Sequence, residues 1–217
     1  SGTLVIEAAL FAADVAPGLL REYHGVDRWP GHEGGVWEGL LDEARERARA
    51  GSRAELPVMQ GHDVSKAAVR MARANARRAG VDEMVKWRVS PLADCAPPGG
   101  AARGVLVTNP PYGVRLTGRG RRGAAEPHPE QLSGLYQQIG DVMRHRFGGW
   151  TGYVLTGNQD LARRIGLRAS RRHVVFNGAI ECRLLEYGIS ATPVVGEEGP
   201  AWRRARRERA APFANRL

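Results

Sequence analysis

The chain predicts an α/β protein whose sheet is mostly parallel and ends in a reversed strand, and three observations carry that expectation. Short apolar runs alternate with amphipathic helical stretches between Leu56 and Ile165, the pattern left by strand–helix–strand units. Two later apolar runs, 173–176 and 180–187, flank Asn177-Gly178, the strongest short-range hairpin signal a sequence carries. A hairpin after a parallel series reverses one strand. The length of 217 residues suits one ordinary domain with chain to spare.

Residues 3–13 read as a helix, and an irregular segment with Gly, Pro and Trp runs from there to about Gly35. Trp37, Leu40, Leu41, Ala44 and Ala48 then recur at helical spacing opposite a charged face. Residues 56–60 read as a strand, and 65–79 as a helix closed by Gly80. An alternating strand is expected over 84–89, a buried one over 105–108, and a helix over 132–147. A further strand at 152–156 and a short helix at 159–165 precede the hairpin. Beyond Ser190 the chain turns Pro-, Gly- and charge-rich, with five arginines from Arg203 to Arg209, and reads as a linker or mobile tail. The expected division is therefore a domain over 1–190 and a linker over 191–217. No internal repeat is visible.

An apolar fraction of 42% and a charged fraction of 25% are those of a soluble globular protein. No window is long and apolar enough to span a membrane, and the apolar stretch from Leu4 to Ala13 contains Glu7 and lacks a basic leader. Cys95 and Cys182 are far apart with no CxxC spacing, so they read as small buried hydrophobes in a reducing, cytoplasmic setting. None of the six histidines pairs at metal-ligand spacing, and no metal is expected. The net charge is +9, and all but two (Lys66 and Lys86) of the 32 basic residues are arginine. Arginine grips phosphate in a bidentate way and stacks on bases, which favours a nucleic-acid partner. A coding bias towards Arg, Ala and Gly would raise the same count, so charge alone leaves both readings open.

Chemistry is concentrated at Thr108-Asn109-Pro110-Pro111-Tyr112-Gly113, directly after the apolar run 104–107. Neither proline can extend a sheet, so the Pro110 carbonyl is left free at the strand's end. The Asn109 side chain adds a second acceptor, and Tyr112 a flat face. Two acceptors and a ring suit a planar molecule bearing an NH₂ group: a nucleobase amine, or less often a side-chain amide, held ready for alkylation. A proline-stiffened turn without chemistry would explain the prolines but not their neighbours. Upstream, Gly61-His62-Asp63 follows the strand at 56–60, and an acidic residue there is placed to grip a ribose diol, although aspartate before a helix is commonly only a cap.

Taken with Ser1-Gly2-Thr3-Leu4-Val5-Ile6-Glu7-Ala8-Ala9, Ala16-Pro17-Gly18-Leu19, the Asn75-Ala76 pair, Phe147-Gly148-Gly149-Trp150 and Phe176-Asn177-Gly178 leading to Glu181-Cys182, these motifs make the chain resemble the RlmL-type methyltransferase domain. That family modifies the N2 amine of a guanine in 23S rRNA. The resemblance covers roughly residues 1–187 and implies a class I, Rossmann-like fold with S-adenosylmethionine as cofactor. It implies that Ser1, Gly2 and Thr3 end the glycine-rich loop that holds the cofactor's methionine portion. Asp63 would bind the ribose, with Val64, Leu92 and Asp94 completing the cofactor's surroundings together with Asn109. Asn109, Pro110, Pro111 and Tyr112 would hold the flipped base. The family's adenine-binding acidic residue is replaced here by Pro91, and Asp94 is its nearest substitute. The family's first strand and an RNA-binding THUMP module would lie before Ser1, leaving this chain's own sheet without its first strand and its cofactor loop incomplete. Phe213-Ala214-Asn215-Arg216-Leu217 resembles the start of the second methyltransferase module of fused, two-activity members. The expected partner is 23S rRNA, naked or in a precursor large subunit. Adenine N6 in DNA and a protein glutamine amide fit the same slot, and the arginine stretches at 119–122, 163–172 and 203–209 would also suit an RNA-binding module without catalysis.

Overall fold

Helical and strand periodicities place five helices and six strands among the residues that the structure, a computed structural model, describes: 1–113 and 128–191. They divide into two units, Ser1–Val89 and a second that begins at Ser90.

The first unit holds α1 (Thr3–Ala12), α2 (Gly34–Arg53), β1 (Met59–Asp63), α3 (Lys66–Arg78) and β2 (Val85–Val89). Strands β1 and β2 pair in parallel from Met59↔Val85 to Asp63↔Val89, with α3 as the crossover. Pairing begins three residues later than the sequence suggests. Pro57 cannot donate to a ladder, so the strand starts past it and Asp63 becomes its last residue. The Ser65 hydroxyl caps α3 by accepting from the Ala68 N–H, and Gly80, at φ 71°, turns the chain out of it. Ile6, Ala9 and Leu10 of α1 pack with Ala76 of α3 and with Val81 and Val85, forming this unit's core. Along α2 Trp37, Leu41, Ala44 and Ala48 are half-buried, as the spacing predicts, and Gly51 continues the same face. Leu40 is 53% exposed: at about 100° per residue it falls at the edge of the stripe that Leu41 and Ala44 centre.

The second unit contains β3 (Val105–Thr108), α4 (Pro129–Arg146), β4 (Thr151–Thr156), α5 (Gln159–Arg164), β5 (Arg171–Asn177) and β6 (Ile180–Gly188). The strands lie in the order β3-β4-β6-β5; β3 and β4 are parallel, and β6 runs antiparallel to both of its neighbours. The reversed strand expected from the hairpin signal is therefore present. Tyr136, Ile139, Val142 and Met143 of α4 share a core with Val154, Leu161, Ile165, Cys182, Leu185 and Tyr187. The Tyr136 and Thr156 hydroxyls, both buried, share a hydrogen bond of 2.8 Å, so neither polar tip is left unpaired.

Two expectations need correction here. Strand β3 was expected to be buried, yet Val105 is 59% and Val107 43% exposed. Among the described residues β3 pairs only with β4, so its other edge lacks a covering strand. The hairpin loop is also displaced by one residue: Asn177 pairs with Ile180 as the last residue of β5, and Gly178 and Ala179 form the turn. Gly178 has φ 63° and Ala179 is not left-handed, the pattern of a type II′ turn. The expected linker over 191–217, apart from Ala191, and the arginine stretches at 119–122 and 203–209 lie outside the described residues. No helix of the described residues is long and apolar enough to cross a membrane.

Helices α4 and α5 approach through backbone at Gly140, where an added Cβ would stand 1.7 Å from the Ile165 carbonyl oxygen. Gly140→Ala must therefore push the Ile165 backbone away. Overpacking of this kind costs about 1–3 kcal/mol, and thermal unfolding should fall by roughly 2–4 °C for each kcal/mol lost. An unchanged melting temperature would show that the two helices separate freely.

Candidate functional site

The first unit supplies a glycine-dependent N-terminal seat. Gly2 caps α1 in the left-handed conformation, at φ 74°, and a Cβ there would lie 2.7 Å from the Ala72 Cβ of α3 and 2.8 Å from the Trp87 ring. Glycine is needed twice at this position, once for its backbone angle and once for space. The Ser1 carbonyl accepts a 2.9 Å hydrogen bond from Asn75 Nδ2, which fastens the segment to α3. No side chain caps α1 and no acidic residue stands in its first turn. The N–H groups at the start of α1, from Thr3 onward, are thus available to an anion.

Asp63 is exposed at the end of β1, and its Oδ1 accepts from the Ser65 N–H at 2.8 Å. That is the ordinary turn-stabilising bond of an aspartate, and it leaves Oδ2 with no partner among the described residues. Val64 follows, half-buried. His62 shares a 3.0 Å hydrogen bond with Gln60 Oε1, and burial, helped by the Arg88 charge, holds its imidazole below the usual range.

In the second unit a single helical turn, Leu92–Asp94, follows Pro91; Leu92 packs partly against the core, and Asp94 is exposed. Burial pushes the Cys95 thiol above its ordinary value, which leaves it unsuited to act as a nucleophile. At the end of β3 Asn109 is exposed and Pro110 buried. Neither the Asn109 side chain nor the Pro110 carbonyl has a hydrogen-bond partner among the described residues. Two acceptors on consecutive residues are therefore without a partner among the described residues, next to a ring.

The ring itself departs from the open stacking face expected of it. Tyr112 is only 8% exposed and belongs to the core. Its hydroxyl accepts from Asn177 Nδ2 at 3.0 Å and from the Cys182 thiol at 3.8 Å. The Asn177 bond, the strongest influence, lowers the phenol's pKa, whereas burial and the Cys182 thiol raise it, and the balance lies above the ordinary value. An added Cβ at Gly157 would come within 3.0 Å of the Tyr112 ring. Sequence reasoning missed Asn177 and Gly157 as companions of Tyr112, because Asn-Gly was read wholly as turn chemistry.

The expected site residues thus divide: Ser1, Gly2, Thr3, Asp63 and Val64 stand in the first unit, and Leu92, Asp94 and Asn109–Tyr112 in the second. Among the described residues no group of three or more His, Cys, Asp or Glu side chains could hold a metal ion.

A family model described as "RMKL-like, methyltransferase domain" matches residues 1–186. The chain is 44% identical over 219 residues to the ribosomal RNA large subunit methyltransferase K/L of Syntrophotalea carbinolica, and covers 100% of this chain but 29% of that protein. It is thus similar to less than a third of a longer relative. Among solved structures, a protein assigned as a methyltransferase and crystallised with SAH is 26% identical, with a TM-score of 0.71 over 88% of this chain and 46% of the other. A Listeria monocytogenes protein, assigned by prediction as an N6-adenine-specific DNA methylase, is 28% identical, with a TM-score of 0.67 over 85% of this chain and 43% of the other. These likenesses show the Rossmann-like fold of class I S-adenosylmethionine-dependent methyltransferases, with its mixed sheet.

Burial raises Tyr136 and Tyr187 to about 12 from an ordinary value of 10.0. A phenol whose folded pKa exceeds its unfolded one adds stability that is complete below the unfolded value and is lost as pH rises through the folded one. Denaturant melts should therefore be flat up to about pH 9.5 and weaken from about pH 10 to about pH 12, and Tyr136→Phe should shallow that decline. A decline unchanged by Tyr136→Phe would remove Tyr136 as a source of it.

Proposed function

Because the chain belongs to the RMKL-like methyltransferase domain family, we propose that it is the catalytic domain of an S-adenosylmethionine-dependent enzyme acting on ribosomal RNA. The target in this reading is the exocyclic N2 amine of a guanine in 23S rRNA, naked or in a precursor large subunit. The observation that carries it is the pair of unengaged acceptors, Asn109 Oδ1 and the Pro110 carbonyl, at the end of β3. The relative from Syntrophotalea carbinolica, named as a large-subunit rRNA methyltransferase, favours rRNA as acceptor. A THUMP module and a second methyltransferase module elsewhere in the whole protein, and a cytoplasmic location, belong to the same reading.

The residues present fit the cofactor. The uncapped start of α1 behind Gly2 and Thr3 suits the carboxylate of its methionine portion, and Asp63 Oδ2 can accept from a ribose hydroxyl while Oδ1 stays in its turn. When bound, S-adenosylmethionine supplies an electrophilic methyl group. An aromatic amine is a poor nucleophile, because its lone pair is delocalised into the ring. By accepting both amine N–H bonds, Asn109 Oδ1 and Pro110 O would favour pyramidal nitrogen, aim its lone pair and stabilise the positive charge that develops on it. No strong general base is needed, since the methylated ammonium loses a proton readily to solvent. Pro110 and Pro111 hold the two acceptors in one geometry, and the buried Tyr112 ring supports them from the core side.

The likeness to the Listeria monocytogenes protein favours one other acceptor, adenine N6 in DNA, and a protein glutamine amide fits the slot equally. Offering the whole protein 23S rRNA, duplex DNA and a release factor in competition, then identifying the methylated nucleoside by mass spectrometry, separates these. N2-methylguanine from the rRNA is expected; label confined to DNA or protein would overturn the rRNA reading. In the same assay Asn109→Ala should lower methyl transfer more than about tenfold, at least about 1.4 kcal/mol of barrier, with cofactor affinity nearly unchanged. Equal losses in cofactor affinity would place Asn109 in cofactor binding instead.

A further inference from the structure

We infer that Asn177, with Gly157, is a positioning residue for the acceptor slot, holding Tyr112 and through it the Asn109-Pro110 acceptors. This rests on the function proposed for that slot. Asn177 is 65 residues away from Tyr112 in sequence, yet its Nδ2 donates to the Tyr112 hydroxyl at 3.0 Å. It can do so because it is the last paired residue of β5 and not a residue of the turn. The Cys182 thiol, on β6, meets the same hydroxyl.

The second restraint comes from the end of β4. A Cβ on Gly157 would stand 3.0 Å from Cε2 and 3.2 Å from Cδ2 of Tyr112, and 3.2 Å from Cγ2 of Ile180. Real Cβ atoms rarely come so close, so the ring sits where it does only because residue 157 has no side chain. One end of the ring is thus tied by a hydrogen bond and one edge is fitted against bare backbone. Pro111 alone separates Tyr112 from Pro110, and its fixed φ passes any ring displacement back along a short, stiff path to the carbonyl. Aim matters more than affinity at such a slot, since small misplacements of reacting groups cost rate steeply.

A merely structural role would lower stability and leave kinetics alone, so the test is a double-mutant cycle in the whole protein. Asn177→Leu keeps bulk but removes the donor, and Tyr112→Phe removes the hydroxyl that receives it. Each should lower kcat for rRNA about tenfold, with the KM for S-adenosylmethionine and the melting temperature nearly unchanged, and the double variant should be no slower than either single one. Gly157→Ala should reproduce the kinetic loss with the hydrogen bond left available. Additive losses, or wild-type kcat in Asn177→Leu, would overturn the inference. Fluorine NMR of 3-fluorotyrosine at position 112 reads the tether without catalysis: Asn177→Leu should shift its resonance, and an unmoved resonance would also overturn the inference. A wild-type protein that methylates none of the three acceptors would instead overturn the proposed function, with the fluorine signal still reporting whether Asn177 holds Tyr112.

Discussion

Two consecutive prolines at the end of β3 remove two backbone donors in a row, and the arrangement of the second unit's candidate site follows from that loss. A strand that could go on donating would bind its own acceptors into a ladder. Here the ladder stops, and the Asn109 side chain and Pro110 carbonyl are left unsatisfied among the described residues. Asn109 is exposed, so water meets its side chain and a ligand amine can take that water's place. The position suits that role, because open α/β sheets bind ligands at the carboxyl ends of their parallel strands, and Asn109 follows directly from β3.

Packing and not charge holds this architecture. Ion pairs such as Arg45–Asp42, Arg49–Glu46 and Arg163–Asp160 join side chains that are all more than half exposed. Water screens pairs of that kind, so they adjust local charge and add little to stability. The decisive contacts are places where a side chain is missing: Gly2 against Ala72, Gly140 against the Ile165 carbonyl, Gly157 against the Tyr112 ring. Among the described residues the buried Tyr136–Thr156 hydroxyl pair is satisfied, whereas Asp82 Oδ1, Trp87 Nε1 and Arg183 Nε are buried without a hydrogen-bond partner.

Much of this was legible in the amino-acid sequence wherever local chemistry decides conformation. The helices α1, α3 and α4 and the strands β3 and β4 follow from apolar spacing, a serine cap and a closing glycine. Strand β1 was misplaced because Pro57 carries an apolar side chain but no donor, and hydropathy sees only the first property. The exposure of Val105 and Val107, on one face of β3, could not be read, since a run of valine and leucine looks the same with both faces covered or only one. Tyr112 was expected to stand open because its sequence neighbours say nothing of Asn177, which reaches it only through the folded hairpin. Long-range tethers of this kind leave no periodic signal.

The free side of β3 has a bearing on how this stretch of protein behaves in concentrated solution. Among the described residues the side of β3 away from β4 has no strand partner, and an extended segment that paired there would lie beside exposed Val105 and Val107. The +9 net charge opposes such encounters by mutual repulsion, and added salt screens that repulsion beyond about 8–10 Å at roughly 0.1 M. Association through that edge would therefore be expected to strengthen as ionic strength rises.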